Sequence, residues 1–395
     1  MTATGAPRRP DGLVEATAGL SEALRTVQAN VAAFADWWPA DTTVDGVYPP
    51  RAAVAGQPVG SNTGWTTSFW SGELWLAWEL TGAPEYRATG LAHVDDFARR
   101  ITSGIDVDTH DLGFLYTLGC VQPWRLAGSE PARLAALAAA EHLMTRVLEP
   151  AGIVQAWGDP SDPAQRGRTI IDSLMNMPLL YWATEQTGDD RYADVARRHT
   201  AQLRDHIVRP DGTTFHTFHW DPVTGEPLRG TTQQGFSDDS CWARGQAWGV
   251  YGFALAHRYT GDASFLAASA RCADVFLERL PDDRVPYWDL AFRTGSDQPR
   301  DSSAGAIVVG GLAELAAGLG ATPEAEAYRA AGDTVLDALV ADCAAPAGVP
   351  GGALLDHSVY DMPKDVGVDE GSLWGDYFYL EALTRRAVPG WVSPW

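Results

Sequence analysis

Basic residues are scarce in this chain. Its 395 residues include 29 lysines and arginines against 51 aspartates and glutamates, a formal net charge of −22 at pH 7. Nucleic acids and anionic membrane surfaces attract basic proteins, so this charge argues against both as partners. Apolar residues make up 45% and charged residues 20%, a globular balance that excludes disorder of the whole chain. We expect a soluble enzyme or binder of small molecules.

Cysteines and long apolar runs are also scarce. The longest apolar stretch, 304–320, is interrupted by glycines and by Glu314, which argues against a membrane span. Residues 1–12 contain two arginines but no apolar segment after them, so we predict no secretory signal and a cytoplasmic location. We expect no metal-binding or redox motif, because the four cysteines include no CxxC pair, and we expect no disulfide framework. The cysteines are Cys120, Cys241, Cys272 and Cys343.

Tryptophan, in contrast, is abundant, with 16 residues. Many of these tryptophans stand beside glycine or polar residues rather than in apolar runs. An indole offers a large flat face and one N–H donor, which suits stacking against a sugar ring. Packing between helices is the alternative for each of them.

A repeated threonine–glycine turn organises the chain. It occurs at Thr81-Gly82, Thr187-Gly188 and Thr260-Gly261, each followed by an amphipathic segment. A glycine after one helix and an acidic residue or proline at the start of the next are typical of a helical hairpin.

The hairpins divide the predicted helices into two alternating sets. Helices rich in glycine and tryptophan are expected to be buried, and those with one apolar stripe are expected to cover them. Six pairs fit an inner ring wrapped by an outer ring over residues 20–395, after a poorly ordered extension at 1–19. An open solenoid is the alternative, because periodicity does not show closure. The predicted inner helices are 68–80, 111–126, 172–186, 241–259, 302–318 and 371–386, and the outer ones 20–37, 84–101, 131–148, 190–207, 263–280 and 324–342.

The long connections all lead into inner helices, so the site is predicted at the end where those helices begin. N-capping explains an aspartate at such a position, and we predict that role for Asp239, Asp301 and Asp369. Asp111, beside His110, and Asp172, after two isoleucines, suit a different role, because an apolar setting raises the pKa of a carboxyl group. Two carboxylates beside a sugar-sized cavity are typical of acid–base catalysis on a glycan. Aspartates recur at five of the six starts: Asp111, Asp172, Asp239, Asp301 and Asp369.

Several ordered segments resemble the unsaturated glucuronyl hydrolases, glycoside hydrolase family 88. The resemblance covers most of the chain from about Trp65 and implies an all-α (α/α)6 barrel. It also implies hydration of the C4–C5 double bond of an unsaturated uronic acid, at the non-reducing end of oligosaccharides left by a polysaccharide lyase. The segments are HDLGF at 110–114, IIDSLMNMPLL at 170–180, TTQQGFSDDSCWARGQAWGVYGFA at 231–254, PYWDL at 286–290, RDSSAGAI at 300–307 and VDEGSLWGDYFYLEAL at 368–383.

The resemblance also implies roles for individual residues. Asp172 is similar to the general acid/base and Asp111 to a second essential carboxylate, and neither a metal nor another cofactor is expected. His216 and Gln234 resemble the family's polar residues around the uronate and the water. Arg244 and Trp248 resemble a substrate clamp, and Trp65 and Trp157 are similar to stacking platforms.

Alternatives to these roles stay open on the residues alone. Arg244 could instead pair with a neighbouring aspartate. His216 with His219 forms only a weak metal signal without a carboxylate partner. Family members that accept sulfated fragments carry Ser-x-x-Ser-x-Lys, whereas this chain has Ser358, Asp361 and Lys364 in that region, so a preference for sulfated substrates is in doubt.

The expected partner is an unsaturated uronic-acid disaccharide or oligosaccharide, bound by a monomer or weak homo-oligomer. Two other functions remain open at this stage. One is the sister class that acts on unsaturated rhamnogalacturonan disaccharides, and the other is a non-catalytic sugar-binding barrel.

Overall fold

The predicted helical hairpins are present in the structure, a computed structural model that describes residues 18–54, 56–159, 161, 162 and 165–395. The predicted extension at 1–19 lies outside the described residues except for Ala18 and Gly19, which begin the first helix. The helices, numbered in chain order, are α1 (Ala18–Ala33), α2 (Thr67–Thr81), α3 (Pro84–Thr102), α4 (Leu112–Tyr116), α5 (Gln122–Ala127), α6 (Glu130–Met144), α7 (Met177–Thr187), α8 (Asp190–His206), α9 (Ala243–Thr260), α10 (Ala263–Arg279), α11 (Ser302–Leu319), α12 (Pro323–Asp342) and α13 (Leu373–Ala387).

Glycine ends the inner helices at the threonine–glycine turns, as predicted. Gly82, Gly188 and Gly261 have φ angles of 69°, 73° and 70°. Each donates its backbone N–H to a carbonyl of the helix that it ends. This left-handed conformation costs glycine little because it has no Cβ, so the next helix can turn back along the first.

The inner helices form a closed ring. In order around the ring, neighbouring helices are α2, the α4–α5 segment, α7, α9, α11 and α13, and α13 packs against both α11 and α2. The outer helices α3, α6, α8, α10 and α12 each pack on the inner helix before them, and α1 packs on α13 and α2. The (α/α)6 prediction is therefore confirmed, and the open solenoid is excluded.

The apolar helix α11 is an inner helix of this ring. It is long and apolar enough to cross a membrane by composition, but 78% of its apolar window is buried inside the protein. A Cβ at Gly311 would lie 2.9 Å from the backbone nitrogen of Tyr251, so α11 and α9 approach too closely for a side chain there. The apolar composition of α11 reflects its position in the barrel wall.

Two inner helices depart from a regular α-helix beside a proline. A π-helical turn, Thr117–Val121, joins α4 to α5, and a 3₁₀ turn, Ile171–Asn176, precedes α7. Pro123 and Pro178 have no N–H to donate to the carbonyls of residues 119 and 174. The regular hydrogen-bond pattern is interrupted at these points, which the sequence prediction of continuous helices did not anticipate.

Short strands, which were not predicted, lie in the connections at the end of the barrel where the inner helices begin. We call this end the mouth. In the three-stranded antiparallel sheet, Ile170 of β3 is paired with Thr217 of β4, so the strand ends two residues before Asp172. The strands are β1 (Val147–Leu148), β2 (Ile153–Val154), β3 (Arg168–Ile170), β4 (Thr217–Trp220), β5 (Pro227–Thr231), β6 (Ser358–Asp361) and β7 (Val366–Glu370).

The capping predictions have mixed outcomes. Asp301 caps α11, since its carboxylate accepts the backbone N–H of Ala304. The predictions for Asp239 and Asp369 are wrong. Trp242 precedes α9, so Asp239 lies too far from the helix to cap it, and Asp369 lies in β7 and accepts a hydrogen bond from His357.

Candidate active site

Asp111 and Asp172 lie at the end of the barrel where the inner helices begin. Asp111 immediately precedes α4, but its side chain makes no capping hydrogen bond to that helix. Instead, the hydroxyl of Thr109 donates to Asp111 Oδ2 at 2.7 Å. Asp172 is the second residue of the 3₁₀ turn before α7, and its Oδ1 is buried without a hydrogen-bond partner.

His110 brings the two carboxylates together. Its Nε2 lies 3.3 Å from Asp111 Oδ1 and 3.6 Å from Asp172 Oδ1, and its side chain is 1% exposed. Its backbone N–H donates to the carbonyl of Ala156 at 3.0 Å, which fixes the residue against the loop after β2. His110 is part of the HDLGF segment, but no role was predicted for it from the sequence. Its position beside Asp111 was the available signal.

A close backbone contact sets the positions of the two acidic segments. The backbone N–H of Phe114 donates to Asn176 Oδ1 at 2.8 Å, joining α4 to the 3₁₀ turn that carries Asp172. A Cβ at Gly113 would lie 2.2 Å from the Cα of Asn176. Only glycine allows this approach, so Gly113 is part of the geometry that places Asp111 near Asp172.

The local environment separates the protonation states of the two carboxyl groups. Burial raises the pKa of Asp172 to about 7, the positive charge of His110 works against this rise, and the negative charge of Asp111 adds to it. Burial also acts to raise the pKa of Asp111, but the charge and hydrogen bond of His110, with the Thr109 hydroxyl, hold it below its ordinary value.

His110 lies between the two carboxyl groups, whose negative charges favour its protonated form. Burial acts to lower its pKa, but the charges of Asp111 and Asp172 and a hydrogen bond to Asp111 raise it above the ordinary value. Two carboxyl groups whose pKa values are moved in opposite directions can work as a proton donor and an ionised partner. Within the described part of the chain, no group of three or more His, Cys, Asp or Glu side chains could hold a metal ion.

His216 and Gln234 lie on one side of the mouth. The backbone N–H of Gln233 donates to His216 Nδ1 at 3.2 Å, so the proton of the neutral ring is on Nε2. Burial, followed by the charge of Arg244, lowers the pKa of His216 to about 3. Gln234 donates from Nε2 to the carbonyl of Tyr360 at 3.0 Å, which ties the loop before α9 to β6.

Trp65 and Trp157 are both half-buried. Trp65 donates from Nε1 to the hydroxyl of Tyr360 at 2.9 Å and stacks on Trp374 with ring centroids 5.2 Å apart. Trp157 lies near His216, with centroids 6.5 Å apart, and the guanidinium of Arg168 lies 5.2 Å from its ring centroid. Both indoles keep exposed surface, which a stacking platform requires.

Arg244 and Trp248 are more deeply buried than the sequence suggested. Arg244, 1% exposed, pairs with Asp301 at 3.0 Å, which is the alternative that the residues left open. Its other Nη hydrogen bonds are donated to the carbonyls of Val359 and Tyr360 in β6. The guanidinium therefore supports the wall of the site rather than projecting freely from it.

Trp248 follows Arg244 one turn deeper in α9. Its indole is 1% exposed and packs against Phe114 and Phe378, with ring centroids 5.4 Å and 5.2 Å away. In this structure the ring has no open face, so the predicted contact with substrate stays a prediction.

Comparisons with known proteins give a consistent result. A sequence model of Glycosyl Hydrolase Family 88 matches residues 50–343. An unsaturated chondroitin disaccharide hydrolase of Streptococcus pneumoniae is 43% identical over 370 residues, which cover 93% of this chain and 90% of that protein.

Solved structures agree with the sequence match. The crystal structure of an unsaturated glucuronyl hydrolase from Streptococcus agalactiae superposes with a TM-score of 0.91 at 42% identity, covering 95% of this chain and 92% of that one. An Asp-to-Asn variant from the same organism, complexed with dGlcA-GalNAc6S, gives a TM-score of 0.83 at 39% identity with the same coverage. These likenesses favour the glucuronyl prediction over the rhamnogalacturonan alternative and over a non-catalytic barrel.

Proposed function

The chain belongs to glycosyl hydrolase family 88, and we propose that it removes 4,5-unsaturated glucuronic or another unsaturated uronic acid from the non-reducing end of lyase-generated disaccharides and oligosaccharides. One observation carries this proposal. Asp111 and Asp172 flank His110 at the mouth, and their environments favour a protonated Asp172 beside an ionised Asp111. This pair can deliver one proton to a double bond without a nucleophilic residue.

The reaction begins with proton transfer from Asp172 to C4 of the vinyl ether. Positive charge then develops at C5 and the ring oxygen, where the ionised Asp111 stabilises it. Asp172, now ionised, takes a proton from a water molecule as its oxygen adds to C5. The resulting hemiketal opens by breaking the C5–O5 bond, which leaves a ketone at C5 and a hemiacetal at C1. The hemiacetal collapses to an aldehyde as the C1–oxygen bond to the neighbouring sugar breaks, and that sugar leaves as an alcohol carrying the proton from the hemiketal, so one water is consumed and Asp172 is again protonated.

The neighbouring polar side chains have supporting roles in this proposal. His216 offers a neutral Nε2–H donor to the uronate or the water, because its Nδ1 is already occupied by the backbone of Gln233. Gln234 acts in the same region through the loop before α9. Arg244 keeps the β6 wall in place and contributes positive charge near the carboxylate of the substrate.

The aromatic side chains form the sugar platforms. We assign Trp157 to the departing sugar and Trp65 to the wall beside β6, since both keep exposed indole surface. Trp248 is assigned with Arg244 to the substrate clamp, as the resemblance implies.

We further propose that the enzyme prefers substrates without a sulfate on the leaving sugar. Lys364 donates from Nζ to Asp361 Oδ2 at 2.6 Å, and Asp361 lies at the end of β6, next to Tyr360 of the site wall. The carboxylate neutralises the lysine in the region where family members that accept sulfated fragments carry Ser-x-x-Ser-x-Lys. A sulfate would meet this carboxylate rather than a free cation.

The experiment is an ultraviolet assay of the conjugated double bond with a panel of unsaturated disaccharides. Asp172→Asn should remove nearly all turnover, by a factor of about 10²–10⁴, because an amide cannot carry the catalytic proton. Asp111→Asn should also be strongly impaired. An Asp172→Asn protein with a tenth or more of the parent activity would contradict the assignment.

The same assay tests the sulfation proposal. The parent should process an unsulfated disaccharide faster than its 6-sulfated form, and Asp361→Ser should reduce that difference by freeing Lys364. Equal rates of the parent on both substrates would contradict the preference while leaving the mechanism untouched.

We also propose a cytoplasmic location and a monomer or weak homo-oligomer. All four cysteines are free and buried, which fits a reducing compartment. Fractionation of the source cells and light scattering of the purified protein test these two points.

A further inference from the structure

A histidine of the outer ring reaches the turn that carries Asp172. His199 lies in α8 and is 0% exposed. Its Nδ1 accepts the backbone N–H of Val154 at 3.0 Å, so the proton of the neutral ring is on Nε2. That nitrogen lies 2.7 Å from Ser173 Oγ, and the Ser173 hydroxyl donates in turn to the carbonyl of Ile170 at 2.6 Å.

These hydrogen bonds join the two segments that surround the catalytic groups. Ser173 directly follows Asp172 in the 3₁₀ turn. Val154 is the last residue of β2, two positions before Ala156, whose carbonyl accepts the backbone N–H of His110. One imidazole therefore connects the segment that fixes His110 with the turn that carries Asp172.

We propose that His199, acting through Ser173, is a positioning residue that holds Asp172 in register with His110. This inference rests on the proposed acid/base role of Asp172. A buried hydrogen bond holds the two groups that it joins in place, because a donor or acceptor that moves away finds no other partner. Misplacement of a catalytic group by about 1 Å can reduce turnover by about 10²-fold, so such a support contributes to rate as well as to stability.

The state of the ring is compatible with a fixed support. Burial, followed by the positive charge of His110, lowers the pKa of His199 to about 3. The imidazole therefore stays neutral at neutral pH, and its donor and acceptor do not exchange roles. The charged groups that act on Asp172 itself are His110, Asp111 and Arg244, and none of them is altered by a change at His199.

Three variants separate the two hydrogen bonds. The amide of His199→Asn can replace Nδ1 as the acceptor from Val154 but does not reach Ser173. The amide of His199→Gln can replace Nε2 as the donor to Ser173 but leaves the N–H of Val154 unpaired. Ser173→Ala removes the same link from the other side without a change in α8.

We expect the link to Ser173 to determine the rate. His199→Asn and Ser173→Ala should lower kcat by about tenfold or more with little change in KM, while His199→Gln should keep more of the parent kcat. The alkaline limb of the pH dependence of kcat/KM, which reports Asp172, should move in His199→Asn and Ser173→Ala, because a displaced Asp172 lies at a different distance from His110 and Asp111. A purely structural histidine would not move that limb.

A matched control exists two hairpins away in the ring. His93 of the outer helix α3 is half-buried and bonds a serine of an inner helix, with Nδ1 2.9 Å from Ser71 Oγ. Its neighbours are Trp38 and Asp96 rather than the two catalytic carboxylates. His93→Asn should therefore lower the Tm while kcat and the pH profile stay at parent values.

The outcomes distinguish the positioning role of His199 from the acid/base role of Asp172 on which it rests. If His199→Asn and Ser173→Ala lose stability like His93→Asn but keep the parent kcat and pH profile, the positioning proposal is overturned. Ser173→Ala decides the question alone if the His199 variants do not fold. If Asp172→Asn, measured alongside, keeps its turnover, then the acid/base assignment fails instead.

Discussion

At the scale of single residues, the surroundings move the pKa values of two chemically identical side chains in opposite directions. The difference between Asp111 and Asp172 comes from His110 and Thr109, which favour the charged form of Asp111, and from burial, which favours the neutral form of Asp172. A helix start ordinarily lowers the pKa of an aspartate. At Asp172, burial outweighs that effect.

This electrostatic arrangement predicts a specific pH dependence. The proton donor must be protonated and its partner ionised, so kcat/KM should fall above a pH of about 7 as Asp172 loses its proton, and fall at low pH as Asp111 gains one. His110→Gln removes a positive charge that lowers the pKa of both carboxyl groups. Both limbs of the pH profile should therefore move to higher pH in the variant, with reduced turnover. Unchanged limbs in His110→Gln would contradict the role of the imidazolium.

From the sequence, candidate residues for the site could be named more readily than their surroundings could be described. Asp111 and Asp172 could be selected because each begins an inner helix beside a suggestive neighbour. Whether a polar atom has a hydrogen-bond partner, however, depends on packing between segments far apart in the chain. Arg244, for example, is engaged by Asp301 and by the carbonyls of β6, and no spacing in the sequence reveals that contact.

At the scale of secondary-structure elements, local chemistry was sufficient to predict the helical hairpins. The left-handed glycines and the capping side chains act within a few residues of their own helix, so they can be recognised from the sequence. The short strands could not be predicted in this way. β1 and β2 have two residues each, and their pairing depends on the loops that the barrel brings together.

The crossing of α4 and the 3₁₀ turn gives a prediction at this scale. In Gly113→Ala the new Cβ would lie 2.2 Å from the Cα of Asn176, a backbone atom that cannot move alone. We expect a loss of about 1–3 kcal/mol or more in the free energy of unfolding, with a large fall in kcat because Asp111 and Asp172 separate. Urea denaturation and the ultraviolet assay measure the two effects.

Gly332 of α12 supplies the control for Gly113. A Cβ there would meet no atom closer than 3.7 Å, and the residue lies inside a helix of the outer ring. Gly332→Ala should therefore stabilise the protein by about 0.5–1 kcal/mol and leave kcat unchanged. A Gly113→Ala protein as stable and active as Gly332→Ala would show that the close contact is not required.

At the scale of the whole molecule, closure of the ring is the property that the sequence could not show. The repeat fixes the neighbours of each hairpin but not whether the last one returns to the first. The structure shows this return in the packing of α13 on α2. Trp395 joins α13 to α4, since its buried indole stacks on Phe378, donates to Glu381 at 2.9 Å and has its ring centroid 5.7 Å from that of Phe114.

Closure also places the segments that carry Asp111 and Asp172 around one mouth, where the reaction is proposed to add water to the unsaturated ring. An ordinary glycosidase adds water at the anomeric carbon and has no use for a C4–C5 double bond. In the proposed reaction, Asp172 instead delivers a solvent proton to C4. A saturated glucuronide, which has no double bond to protonate, should be essentially inert.

The most direct test is NMR analysis of the uronate product formed in heavy water, taken early in the reaction. If Asp172 protonates C4, each product molecule should carry one deuterium at C4. A sample of unlabelled product placed in heavy water for the same time controls for exchange without the enzyme. Cleavage that leaves C4 unlabelled, or a saturated glucuronide cleaved at a comparable rate, would contradict the mechanism.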